Sequence, residues 1–296
     1  DTATAMQVAA EDRRLAKAHV SIHMGGVSAA VAHYQESPTP NLILIESSQR
    51  GANVLADLDR LGYLDTYEAA GGAYGVELHD RARTAPGVNL IVSAHAPEAY
   101  LADLDGEILH RWAFRFAELA KPANHVPPPS DFGERFFRRV HLLENGDLLG
   151  VFERTGLVKL DRESRLLWGL HGFFHHDLDV AADGTIHVLT AEVKVIPRIH
   201  ATRDTFEDFI TRVSPDGQVL GRFSLLEAFE RSPYAPLLER LPDREDIFHT
   251  NTLTLLDGSL AHVSPHFGAG KALISVWGLD TVAVVDLERQ AVEWAL

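Results

Sequence analysis

The spacing of hydrophobic and polar positions changes character near Gly62. Before it, apolar residues fall at helical spacing interrupted by short apolar runs. Ala5 to Leu15 is helix-forming, His19 to Met24 is a short β-like run, and Gly25-Gly26 opens a second helix over Val27 to Gln35. Ser37-Pro-Thr-Pro40 breaks the chain ahead of the apolar strand Asn41 to Glu46, and a third helix, Gly51 to Leu61, carries Val54, Leu55, Leu58 and Leu61 at helical spacing. Residues 1–61 therefore predict a small α/β segment, about half of a doubly wound unit with buried parallel strands.

From Val88 onward the pattern becomes short alternating strands separated by turn dipeptides. Asp105-Gly106, Asn145-Gly146, Asp183-Gly184, Asp216-Gly217 and Asp257-Gly258 each sit between apolar or β-branched runs, the strongest local signal for a hairpin. One unit recurs as strand, acidic turn and strand ending in an aromatic; its turn Asp precedes Trp112, Trp168, Phe223 and Trp294 by seven, seven, seven and eight positions. A second hairpin unit precedes it in Phe137 to Gly150, His176 to Leu189 and His249 to Leu260. Two hairpins per repeat make a four-stranded blade, and this period is that of a β-propeller. The fold class predicted for residues 62–296 is thus mainly β, a partial β-propeller with one half blade (88–112) and three whole ones, about 136–168, 174–223 and 247–294. Stretches 120–134, 197–206 and 225–245 are expected as blade-edge loops, the last with a short helix from Leu225 to Arg231. The recurring aromatics are expected between blades.

Composition narrows the chemistry. With 46% hydrophobic and 23% charged residues in 296, wholesale disorder is excluded. Lys+Arg 27 against Asp+Glu 42 gives −15 with no basic block, which disfavours nucleic acid or an anionic membrane surface as partner and requires any anionic ligand to meet a local basic site. The absence of cysteine excludes disulfide scaffolds, Cys-ligated metals and Cys nucleophiles. No apolar run approaches the ~18 residues of a membrane span. Asp1 to Arg14 lack the order of a signal peptide, so the expectation is a cytoplasmic chain or one whose targeting segment has been removed.

In a propeller the innermost strands line the channel, so equivalent positions on successive blades converge. Counting back seven places from the hairpin Asn or Asp puts Arg138 level with His176, and His249 takes this place in the next blade with one extra residue before its turn. Two imidazoles and a guanidinium are suited to nucleophilic or acid–base chemistry on an anionic group: a near-neutral histidine attacks an electrophilic centre or takes a proton, and a guanidinium offers paired donors to oxyanion oxygens. Hydrogen-bonded channel residues without chemistry are the plainer alternative. A metal on His171, His175, His176 and Asp177 is disfavoured because adjacent His175 and His176 on a strand should point to opposite faces, and no metal or cofactor is expected. His19 and His23 share a strand face as a partly exposed pair. Gly25-Gly26 is expected to serve strand–helix packing ahead of anion binding. Gly268-Ala-Gly-Lys271 lacks the remaining P-loop positions and is expected as a loop or turn.

The blade sequences resemble the bacterial arylsulfotransferase family over roughly residues 62–296. The resemblance is carried by Ala94-His95-Ala96-Pro97, His175-His176-Asp177, Phe248-His249-Thr250-Asn251 and the closing Asp280 to Asp286 with Trp294. It implies a six-bladed propeller that moves a sulfuryl group from a phenolic sulfate ester to a phenol without a nucleotide sulfate donor, through a sulfated histidine in the channel. It implies His176 and His249 as catalytic positions; beside them Arg138, His175, Asn251 and Trp277 are the expected substrate-binding set. Two departures stand out. The family's arginine falls in a strand resembling Ile-Ser-x-Arg-x-x-Asp-Thr, where this chain reads Ile274-Ser-Val-Trp277-Gly-Leu-Asp-Thr281, and Trp277 cannot donate the forked charged pair. The family's sulfated histidine begins the following blade, and the blades visible here run to Leu296, so no residue matches that motif; the expectation is a chain short of ring closure, with sheet edges exposed or paired in a homo-oligomer.

Residues 4–61, especially His23 to Ala30, Ser37 to Glu46 and Leu55 to Leu61, resemble the atypical receiver domain of TadZ/CpaE-type pilus assembly proteins, which implies a fused arrangement of a receiver-like segment (1–61) and a propeller (62–296). The propeller resemblance implies a periplasmic or extracytoplasmic location and small-molecule aryl sulfate and phenol partners, whereas the first implies a cytoplasmic one. The alternatives to an arylsulfotransferase, active or inactive, are a non-catalytic ligand- or protein-binding propeller and a pilus-assembly scaffold acting through residues 1–61.

Overall fold

Four of the five Asp-Gly and Asn-Gly turns close tight hairpins, with Gly106, Gly146, Gly184 and Gly217 at φ between 84° and 88°. That left-handed conformation is open to glycine at no steric cost. Acidic and amide side chains brace these turns; Asn145 Oδ1 accepts the Asp147 amide at 3.1 Å and Asp183 Oδ1 accepts the Thr185 amide at 2.9 Å. The fifth, Asp257-Gly258, departs from expectation. It opens a longer connection to residue 270 that contains a 3-10 turn, Pro265–Phe267.

The structure, a computed structural model, describes Val76 and residues 79–121 and 131–296. The chain divides into two compact units, Asp1–Glu77 and Leu78–Leu296, and the described strands all belong to the second. The α/β segment expected over residues 1–61, with His19, His23 and Gly25-Gly26, lies outside the described residues, as does the receiver-like resemblance.

The described chain is mainly β, a partial β-propeller of antiparallel sheets each wound in sequence order. The first holds β1 (Asn89–Val92), β2 (Glu98–Ala102) and β3 (Ile108–Ala113), one strand more than a half blade of two. The second holds β4 (Arg139–Leu142), β5 (Leu148–Phe152), β6 (Gly156–Leu160) and β7 (Leu166–His171). The third holds β8 (Phe174–Val180), β9 (Ile186–Val195), β10 (Asp204–Val213) and β11 (Val219–Ser224). The fourth holds β12 (Thr250–Leu256), β13 (Lys271–Val276), β14 (Thr281–Asp286) and β15 (Ala291–Ala295). The loop expected over 197–206 is shorter, because β10 already begins at Asp204.

Each inner sheet is buried on both faces. In β5, Leu148 and Phe152 pack with Ala99 and Trp112 of the first sheet, while Leu149 and Val151 pack with Leu178 and Val188 of the third. A period of two therefore divides one apolar run between two neighbours. A third cluster joins Leu189, Ile210 and Phe223 to Leu253, Ala272 and Ile274 of the fourth sheet, sealed by helix α1 (Leu225–Glu230). Ser224 caps α1 by accepting the Glu227 amide at 3.1 Å, and Arg231, expected inside the helix, is its C-cap. Of the recurring aromatics, Trp112 and Phe223 are buried between sheets. Trp168 is half-buried and donates to Pro215 O at 3.0 Å, against the Asp216-Gly217 turn of the next sheet; Trp294 is also half-buried.

β8 and β12 lie side by side without backbone pairing. Asp177 Oδ2 accepts the Leu253 amide at 3.0 Å and Asp179 Oδ2 accepts the Leu255 amide at 2.8 Å. These carboxylates occupy amides that would otherwise be an open strand edge. Arg139 on β4 pairs with Asp177 Oδ1 at 2.8 Å, so three first strands are laced together. Among the described residues no helix is long and apolar enough to cross a membrane.

Candidate functional site

Two histidines stand at matching irregularities of neighbouring sheets. His176 and His249 both have φ +49°, and each adjoins a register shift, Phe174 to Leu178 on β8 and Thr250 to Thr252 on β12. A left-handed non-glycine residue costs about 1–2 kcal/mol, and its repetition at equivalent places marks a site that the surrounding fold holds in place.

The β8 bulge overturns the strand-alternation expectation for His175 and His176. Instead of pointing apart, their Nδ1 atoms lie 3.0 Å from each other. The rings of His176 and His249 meet edge-to-face at 4.8 Å, and Trp277 stands 5.1 Å beyond His249. His175 and His176 line a small open pocket together with His249, Phe173, Phe206 and Arg154.

Carboxylates hold the imidazoles. His249 Nδ1 lies 2.6 Å from Asp246 Oδ2, so the ring donates there, and in its neutral form the lone pair is on Nε2. Glu153 accepts the His176 backbone amide at 3.3 Å, and its Oε1 is 3.9 Å from His176 Nδ1. Two guanidinium groups flank Glu153, Arg138 at 3.5 Å and Arg154 at 3.8 Å; Arg154 also reaches Asp246 at 3.8 Å. The Arg154 guanidinium covers the rings of Phe173 and Phe206 at 5.4 and 5.2 Å. Burial, reinforced by His175, Arg138, His249 and Arg154, pushes His176 down to a pKa of about 3, so this imidazole is neutral at any working pH.

The structure brings His175, His176 and His249 into one pocket and sets Arg138 at its edge through Glu153. Trp277 is 53% exposed, and the guanidinium of Arg244 lies over its ring at 3.8 Å, returning a forked cation to the place where the sequence offers an indole. Asn251, half-buried on β12, stands outside the pocket lining. Lys271 donates to Pro265 O and pairs with Glu293, both at 2.7 Å, a structural role for the Gly268 to Lys271 turn. Among the described residues no three His, Asp or Glu side chains converge as a metal set.

Sequence reasoning missed Asp246, Glu153, Arg154 and Asp208. Asp246 had a local signal, three residues before His249. Glu153-Arg154 occupy the turn between the second and third strands of their sheet, the turn in which Trp277 lies in the fourth.

The model of the arylsulfotransferase (ASST) family matches residues 139–296. The match begins in β4 and leaves out the first sheet and Ala94 to Pro97. No curated protein matches the chain. Among solved structures, BamB from Moraxella catarrhalis is 10% identical over 70% of this chain and 49% of that one, with a TM-score of 0.35. The Myceliophteria thermophila Cps50 (Swd1) beta-propeller domain is 12% identical over 70% of this chain and 69% of that one, with a TM-score of 0.36. The chain thus spans about half the length of the BamB chain.

Proposed function

The chain belongs to the arylsulfotransferase (ASST) family, and on that premise we propose that its pocket transfers a sulfuryl group from a phenolic sulfate ester to a second phenol. The observation that carries the proposal is a pair of imidazoles with unlike surroundings, 4.8 Å apart and flanked by guanidinium groups.

His176, neutral through burial, is the nucleophile. Its Nε2 attacks sulfur; the N–S bond forms as the S–O bond breaks, and protonated His249 gives its Nε2 proton to the departing phenolate. The acceptor phenol then loses its proton to His249 Nε2, its oxygen attacks sulfur, and the N–S bond breaks. Asp246 fixes the tautomer of His249 and stabilises the positive charge that the ring carries before the first half and regains in the second. Arg138 and Arg154, both about half exposed, supply donors to the sulfuryl oxygens, where charge spreads in the trigonal-bipyramidal state. Phe173 and Phe206 form an apolar wall suited to an aryl ring.

Release of p-nitrophenol from p-nitrophenyl sulfate, dependent on added phenol, tests this. His176→Ala and His249→Ala should each lower the rate by at least ~100-fold. A chain without phenol-dependent release, or with release unchanged in both variants, contradicts it. Trp277 favours a second reading, ligand binding without turnover. Under it an aryl sulfate binds but is not consumed, and binding is lost in Trp277→Ala.

A further inference from the structure

Asp208 lies on β10 and is 3% exposed, and its two carboxylate oxygens reach different parts of the pocket. Oδ2 accepts the backbone amide of Thr250, the residue after His249, at 2.9 Å. Oδ1 lies 3.8 Å from Nε2 of His175. That Nε2 is itself buried and has no hydrogen-bond partner among the described residues, an orphan that calls for an explanation. On the other side of the ring, His175 Nδ1 faces His176 Nδ1 at 3.0 Å.

Two Nδ1 atoms at that separation share one proton. If His175 holds it, His175 Nε2 is a bare lone pair buried against a carboxylate oxygen. If His176 holds it, His175 carries its proton on Nε2, aims it at Asp208, and accepts from His176 through Nδ1. The second arrangement gives every buried nitrogen and oxygen in the row a complementary neighbour, and it leaves His176 Nε2 as a lone pair.

We propose that Asp208 is a positioning residue that sets the tautomers of His175 and His176, leaving the His176 Nε2 lone pair available while its other oxygen anchors the backbone beside His249. The assignment rests on the sulfuryl-transfer reading only for its catalytic consequence. When His176 Nε2 bonds to sulfur, its ring becomes cationic; the Nδ1 proton moves toward His175, and the charge is met by the Asp208 carboxylate. Burial raises the Asp208 carboxyl above its ordinary range while His175 and the Thr250 amide oppose that rise, so it is suited to share a proton with its neighbour. Turn spacing does not reveal this residue, because Asp208 is distant in the chain from both histidines.

The test uses the full chain with 15N-labelled histidine and long-range proton–nitrogen correlation spectra, which identify which ring nitrogen bears hydrogen. The expected result is His176 protonated on Nδ1 and His175 on Nε2. Asp208→Asn presents an amide N–H to His175 Nε2, so His175 should switch to Nδ1–H and His176 to Nε2–H, with kcat for p-nitrophenyl sulfate falling ~100-fold at little change in KM. His176 protonated on Nε2 in the unsubstituted chain overturns the proposal, as does a folded Asp208→Asn chain whose tautomers are unchanged. Should Asp208→Asn not fold, the spectrum of the unsubstituted chain decides alone. Absence of sulfuryl transfer with the expected tautomers refutes the catalytic reading and leaves the positioning assignment standing.

Discussion

At the scale of single residues, the site depends on how two imidazoles of the same type are made unlike. His249 donates a hydrogen bond from Nδ1 to Asp246, whereas His176 is buried against a second imidazole and near two guanidinium groups. Asp246→Asn removes the acceptor that fixes the His249 tautomer and should lower kcat by ~100-fold or more while the chain keeps its fold, checked by kinetics beside circular dichroism. Protonation also links the site to stability. The folded pKa of His176 is about 3 and the unfolded value is near 6.5, so below that upper value the unfolded chain binds more protons. His141 and His187, also lowered chiefly by burial, act in the same direction. The urea midpoint should therefore fall as pH drops from about 6.5 toward 4.5, and His176→Gln should flatten that slope; a midpoint constant over this window contradicts the assignment. The convergence of His176 and His249, with Arg138 near them through Glu153, was legible in the sequence, since turn spacing reveals equivalent blade positions. Asp246, Glu153 and Asp208 were not, because their roles arise only when neighbouring sheets meet.

At the scale of elements, turns and strands were the most legible features, because Asp-Gly and alternation act over a few residues. The bulges were not. Nothing within His175-His176-Asp177 requires φ +49° at His176; the conformation is held by Glu153 accepting its amide and by Asp177 reaching across to β12. The expectation that His175 and His176 point apart failed for this reason. The segment bearing His249 is clasped similarly, with Gly278 donating to Phe248 O at 2.8 Å. A Cβ at Gly278 would fall 1.9 Å from Ile247 O, so Gly278→Ala must displace this segment. It should destabilise the chain by about 1–3 kcal/mol and lower transfer activity together, measured by urea unfolding and turnover. Ser224→Ala removes both the cap of α1 and the hydroxyl that donates to buried Glu207 at 2.6 Å. Its expected cost, about 1–3 kcal/mol, exceeds that of a cap alone.

At the scale of the molecule, three apolar clusters join consecutive sheets, and the pocket forms where the first strands of the third and fourth sheets meet the β5–β6 turn of the second. The chain is acidic, at −15, and at the site Arg138 and Arg154 stand beside the carboxylates of Glu153 and Asp246, with Arg244 over Trp277, so under the proposed function these guanidinium groups are the cations that meet the anionic ester. KM for p-nitrophenyl sulfate should accordingly rise with ionic strength more steeply than kcat changes. The decisive experiment is peptide mapping by mass spectrometry, at neutral pH, of the full chain mixed with p-nitrophenyl sulfate alone and then with phenol. A sulfuryl group is expected on the peptide at His176, and it should disappear when phenol is added, with sulfated phenol formed in step. A chain that turns over with His176 unmodified, one that carries the sulfuryl on another residue, or one that transfers none would contradict sulfuryl transfer through His176.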